Sequence, residues 1–112
     1  MPPAAETDAA PLTVVLVHWN HPERCADTIE AFAAQDVSVS IVVVDNGSEP
    51  AAFGRLREIL AASPHDVELV PLGANTGFGP GANAGLAHFL DERVGEWVAL
   101  APHDALPQPG TL

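Results

Sequence analysis

From Leu12 onward the chain alternates between continuous apolar runs rich in β-branched residues and segments whose apolar positions recur at helical spacing. Leu12 to Trp19 (LTVVLVHW) has no polar alternation, the pattern of a strand buried on both faces. Pro22 to Ala34 follows, with Cys25, Ile29, Phe32 and Ala33 on one helical face and Pro22 suited to the first turn. Val39 to Asp45 (VSIVVVD) reads as a second buried strand. Phe53, Leu56, Ile59 and Leu60 then mark a helix that runs to about Ala62 and is stopped by Ser63-Pro64. Val67 to Leu72 is a shorter third strand. A glycine-rich stretch, Gly73 to Gly81, leads into a helix with Ala82, Leu86, Phe89 and Leu90 facing inward, and Trp97 to Ala101 is a fourth strand before a proline-rich end. Strands alternating with helices predict an α/β, Rossmann-like three-layer sandwich. Its mostly parallel sheet has about four strands joined by right-handed crossovers.

Ligands of such sheets bind outside the carboxyl ends of the strands, and all four ends here are polar. They carry His18, Trp19, Asn20 and His21; Asp45, Asn46, Gly47 and Ser48; Gly73 to Gly77; and Pro102, His103 and Asp104. Asp45 can accept hydrogen bonds from a nucleobase imide or a ribose hydroxyl, or it can serve an Asx-turn within Asp-Asn-Gly-Ser. If it binds ligand alone, Asp45→Ala should abolish binding and leave melting nearly unchanged. Asn75 to Gly85 (NTGFGPGANAG) offers close backbone approach to a ligand, or merely a tight turn and close helix packing. Gly79, Gly81 and Ala84 fit G-x-G-x-x-A, but a dinucleotide fingerprint belongs after the first strand, where this chain has no glycine. Asp104 can ligate Mg²⁺ or Mn²⁺, or be a solvated turn residue. His18, His21 and His103 share one end of the sheet, as a metal site or as a polar rim. His65 and His88 read as ordinary surface positions.

Composition narrows the ligands. The chain has 112 residues and 11.6 kDa, enough for one domain with its own core. Its four basic residues, all arginine, face 15 acidic ones, for a net charge of −11. Such a surface repels nucleic acid and anionic lipid. A phosphate ester would have to be held by backbone N–H groups, a helix N-terminus or a metal ion. Cys25 is the single cysteine, which excludes an internal disulfide and a cysteine zinc site; its apolar setting reads as a buried small hydrophobe rather than a reactive thiol. No apolar run is long enough to span a bilayer. Residues 1–11 lack signal-peptide character and read as a disordered tail, so a cytoplasmic chain is expected.

Four motifs, Val14-Val-Leu-Val-His-Trp-Asn20, Ile41-Val-Val-Val-Asp-Asn-Gly-Ser48, Asn75 to Gly85, and His103-Asp-Ala-Leu-Pro-Gln-Pro-Gly110, occur in order and at matching spacing. Together they resemble the nucleotide-binding half of a family 2 glycosyltransferase of the GT-A fold, in its rhamnosyltransferase-like and galactofuranosyltransferase-like group. The resemblance runs from about Thr13 to Leu112. It implies that the domain at 12–112 binds a UDP- or dTDP-sugar and a divalent metal, for transfer to an acceptor hydroxyl in cell wall or polysaccharide biosynthesis. It further implies that backbone around Val17, His18 and Trp19 lines the base pocket, that Asp45 bonds the uracil or thymine ring, that Asn75, Gly77 and Asn83 lie against the nucleoside and diphosphate, and that Asn46 and Gly47 belong to the same nucleotide-sugar site. Asp104 stands where the family has the last aspartate of its metal motif, and Pro102 replaces the first ligand. The family's second half carries the acceptor site and the general base. No catalytic base is assigned here, and a C-terminal half or another chain would supply it, with association at the inner membrane face through such regions. Two other readings are a non-catalytic nucleotide-binding or interaction module of the same fold and a Rossmann-type dinucleotide-binding fragment.

Overall fold

The computed structural model describes residues 12–92 and 97–110. The tail expected at residues 1–11 lies outside the described residues. The elements follow in the order β1 (Leu12–His18), α1 (Pro22–Ala33), β2 (Val39–Asp45), α2 (Pro50–Ala62), β3 (Val67–Pro71), α3 (Phe78–Glu92) and β4 (Trp97–Pro102). Two helices start earlier than their apolar stripes suggest. Pro50 opens α2 because its fixed φ and missing N–H suit a first turn. Phe78 opens α3 inside the glycine-rich stretch.

The four strands form one sheet in the order β3-β2-β1-β4, and every pairing is parallel. Continuous apolar runs explain the centre: β1 and β2 must be covered on both faces, and from Thr13 and Ser40 onward they are buried. On one face Val14, Leu16, Ile41 and Val43 pack with Cys25, Ile29 and Phe32 of α1 and Leu56 of α2. On the other, Val15, Val42 and Val44 pack with Ala84 of α3. This is the expected three-layer sandwich.

The edges differ from the centre. β3 and β4 are only partly buried, and Trp97 is 70% exposed. The buried stripe of α3 is Gly81, Ala82, Gly85 and Phe89. Leu90, expected to face inward, is exposed, and Leu86 is half-buried. The cause is close packing: a Cβ on Gly85 would overlap the Val15 side chain, and one on Gly81 would press on Val17. Small residues let the helix axis approach the sheet, which rotates the larger leucines away from it. In α2 only Leu56 is buried, while Phe53, Ile59 and Leu60 are half-buried at the margin of the core.

Parallel register brings the carboxyl ends nearly level. His18 is paired with Asp45, Asp45 with Pro71, and Val17 with Pro102. The chain leaves β1 toward β2 on one side, while β4 lies on the other side of β1. The β1/β4 boundary is therefore the switch point, where a crevice opens in open α/β sheets.

Candidate functional site

His18 and Asp45, the last residues of β1 and β2, are 0% and 2% exposed. His18 Nδ1 lies 2.9 Å from Asp45 Oδ1. The His21 N–H donates to His18 Nε2 at 3.1 Å, so Nε2 carries no proton and Nδ1–H is the donor to Asp45. Ser48 closes the other side: its hydroxyl donates to Asp45 Oδ1 and its N–H to Oδ2 at 3.2 Å. Burial alone would push the Asp45 carboxyl up; the bonds from His18 and Ser48 outweigh it and hold the group below its ordinary range. The strand-end aspartate is thus ionised inside a hydrogen-bonded Asx-turn. The Asx-turn is therefore present, and its bonds leave part of the acceptor capacity of Oδ2 unused.

Asn20 joins the first two loops. It holds a left-handed φ of 58°, donates its N–H to Ser48 Oγ at 2.9 Å, and accepts the Glu49 N–H on Oδ1 at 2.8 Å. Asn46 organises the third. Its Nδ2 donates to the Gly77 carbonyl at 2.9 Å, and its Oδ1 accepts the Thr76 N–H at 2.9 Å and the Thr76 hydroxyl at 3.1 Å. The Gly77 N–H donates to Asn75 Oδ1 at 2.9 Å. Gly47 has φ 76°, and a Cβ there would overlap the backbone of Ala74 and Asn75. Asn46 and Gly47 therefore shape the site from beneath, whereas Asn75, Gly77 and Asn83 are exposed above it. Val17 is buried beneath the rim and Trp19 is 45% exposed on it. Of the glycine run, Gly81 and Gly85 serve helix packing, and Gly79 and Gly81 lie in the first turn of α3, after the third strand.

At the β4 end His103 accepts the Trp19 N–H on Nδ1 at 3.3 Å. Its ring centroid lies 5.3 Å from that of His18 and 5.4 Å from that of His21. The three histidines do meet, but as a packed rim: both His18 nitrogens are engaged, and His103 spends Nδ1 on the backbone. Burial first, then the His18 ring, push His103 below its usual range against the opposing pull of Asp104 and the Val17 backbone. Thr28 on α1 donates to the His103 carbonyl, and Gln35 Nε2 donates to the Gln108 carbonyl at 3.0 Å, strapping the segment after β4 against α1. Thr28 and Gln35 were not singled out from sequence, and Asn20 and Ser48 were named there only as polar strand-end residues. A signal existed for Thr28, a hydroxyl on the apolar stripe formed by Cys25, Ile29 and Phe32.

Asp104 is exposed in the turn after β4. Arg24, Asp27, Thr28, Asp104 and Leu106 line a depression of about 220 Å³, which places one arginine beside it. Among the described residues no three histidine, cysteine or carboxylate side chains surround a common point. One exposed carboxylate nevertheless fits Mg²⁺ or Mn²⁺, which bind through one or two carboxylates with phosphate and water completing the shell. A groove of about 570 Å³ between α2 and β3 is lined by Gly54, Arg57, Leu60 and Leu69 and by none of the strand-end residues. Cys25 is buried and its thiol is pushed up to about 12, first by burial and then by the Asp45 charge, as suits an inert core residue. His65 and His88 are half-buried and pair with Glu30 at 2.9 Å and Glu68 at 3.0 Å. Among the described residues no helix is long and apolar enough to cross a membrane.

The family model for glycosyl transferase family 2 matches residues 13–112. The mannosyltransferase PcManGT from Pyrobaculum calidifontis, in complex with GDP-Man and Mn²⁺, superposes with a TM-score of 0.72 at 24% identity, over 87% of this chain and 28% of its own. S. aureus TarS 1-349 superposes with a TM-score of 0.64 at 21% identity, over 83% of this chain and 27% of its own. The chain thus spans roughly a quarter of the length of these structures, whose likeness shows a shared fold. No curated protein matches it.

Proposed function

The chain belongs to glycosyl transferase family 2, and from that membership we propose that it is the donor-binding part of a transferase acting on a nucleoside-diphosphate sugar. The observation that carries the reading is the buried, ionised Asp45 at the end of β2 beside the switch point, with an acceptor position left on Oδ2. A carboxylate offers acceptors only. It accepts the ring N–H of uracil, thymine and guanine; cytosine and adenine offer it only an exocyclic amino group, beside an unprotonated ring nitrogen whose lone pair repels the carboxylate. UDP- and dTDP-sugars are the donors proposed from sequence; GDP joins them on the same chemistry, and GDP-Man is the ligand in PcManGT.

In this reading Trp19, Asn75, Gly77 and Asn83 form the exposed wall along which the nucleoside and diphosphate lie, and Val17, Asn46 and Gly47 hold that wall in place. The first-turn N–H groups of α3 suit the diphosphate. The metal, when bound, offsets phosphate charge; Asp104 is the residue that would hold it, with Arg24 a second positive group nearby. Such a group is needed on a chain of net charge −11. A general base and an acceptor site are not assigned to these residues. The chain is proposed to bind donor without transferring sugar, with the acceptor half supplied by a further segment or another chain. The non-catalytic alternative predicts the same binding, and the two part once the acceptor half is supplied: sugar release from a bound donor, followed by chromatography, should then appear in the first reading and not in the second.

The test is a panel of UDP, dTDP, GDP, CDP and ADP with and without Mn²⁺. At least one of the first three should bind at least about tenfold more tightly than CDP and ADP. Equal affinity for all five would remove Asp45 from base recognition, and no binding by folded protein would remove the reading.

A further inference from the structure

We infer that His18 is a positioning residue for base recognition: its Nδ1–H fixes the Asp45 carboxylate so that Oδ2 presents its remaining acceptor position to a base N–H. This rests on the donor-binding reading above. His18 has no exposed surface and cannot itself touch a nucleotide. Both ring nitrogens are committed, Nε2 to the His21 N–H at 3.1 Å and Nδ1 to Asp45 Oδ1 at 2.9 Å. Oδ1 also accepts the Ser48 hydroxyl, so its two in-plane positions are filled. Oδ2 accepts the Ser48 N–H at 3.2 Å and keeps one position. The carboxylate is thereby held at both oxygens, and rotation about its Cβ–Cγ bond would break two bonds to Oδ1 at once.

The histidine is in turn held by the fold. Its residue is the register partner of Asp45 across β1 and β2, and its carbonyl accepts the Asn46 N–H at 2.8 Å. The His103 ring meets it edge-on. Stability is a weak reason for this contact, because apolar side chains of similar volume are often as stable as a buried polar pair. A directed N–H does what an apolar side chain cannot: it selects one rotamer of the carboxylate it touches.

Two substitutions separate positioning from support. In His18→Asn the amide nitrogen takes the place of Nδ1 and keeps the bond to Asp45, while the His21 N–H loses its acceptor. In His18→Gln the amide reaches the Nε2 position and keeps the His21 contact, while Asp45 loses the His18 donor and keeps only those of Ser48. Each removes one hydrogen bond of His18, part-buried at His21 and buried at Asp45, so both should melt within a few degrees of each other. UDP, dTDP and GDP are titrated into the 112-residue chain and both variants. His18→Asn should bind the preferred nucleotide within about threefold of the parent, and His18→Gln about tenfold or more weakly. Affinities that are equal in the two variants, or that track melting temperature, overturn the positioning role and leave the function standing. No binding by the parent chain overturns the function and this role with it. Should either variant fail to fold, the Nδ1–H proton resonance of His18 in the parent chain gives an independent answer. It should shift when the nucleotide is added, and an unmoved resonance at saturation overturns the inference.

Discussion

At the scale of single residues, Asp45 concentrates the chemistry. Sequence alone suggests that Asp45→Ala leaves melting unchanged, but the carboxylate is the acceptor for a fully buried histidine N–H. Removing it leaves that donor unsatisfied, so Asp45→Ala should lose nucleotide binding and about 1–3 kcal/mol of stability together, read by urea denaturation alongside titration. The pH dependence follows from the direction of the shift. A carboxyl held below its ordinary value of 3.8 adds stability that is full above that pH and is lost as the pH falls through the folded value. Asp45→Asn should therefore flatten the acid limb of stability below about pH 4 relative to the parent. Cys25 has the opposite consequence: with its thiol near 12 against an ordinary 9.0, stability falls as pH rises from 9.0 toward 12. At pH 8 a thiol reagent should label it only as fast as the core opens. That the strand ends are polar was readable from residues; that they bond mainly to one another was not. His18 and Asp45 lie 27 positions apart, Asn46 and Gly77 31, and only parallel register brings them together.

At the scale of elements, two glycines in helices should behave oppositely. Gly54 in α2 has open space where a Cβ would go, so Gly54→Ala should stabilise by about 0.5–1 kcal/mol through helix propensity. Gly85 in α3 backs directly onto Val15, and Gly85→Ala should cost about 1–3 kcal/mol through overpacking. Thermal melts of the two variants check both signs. The strands were legible because β1 and β2 carry unbroken apolar runs, and so was the existence of each helix. On α3 Ala82 and Phe89 face inward as expected, but Gly81 and Gly85 were missed because glycine weighs little in any hydrophobic pattern. Packing against a flat sheet nevertheless favours just those small residues, and it turns Leu90 outward. Helix α1 adds a link that its stripe only hinted at, the Thr28 hydroxyl bonded to the backbone of His103.

For the whole molecule, charge and extent set the terms. With −11 on 112 residues, the donor binding proposed above needs backbone N–H groups, Arg24 and a metal to offset that charge locally. Low salt should therefore weaken nucleotide binding in the absence of Mn²⁺ and matter less in its presence. The family model matches residues 13–112, and the shared fold covers about a quarter of PcManGT and of TarS 1-349. Calorimetric titration of UDP, dTDP and GDP, with Mn²⁺ and with CDP and ADP as controls, tests the central claim most directly. Saturable binding of at least one of the first three, lost in Asp45→Ala and at least about tenfold weaker for CDP and ADP, is the predicted result; a folded chain that takes up none of them contradicts it.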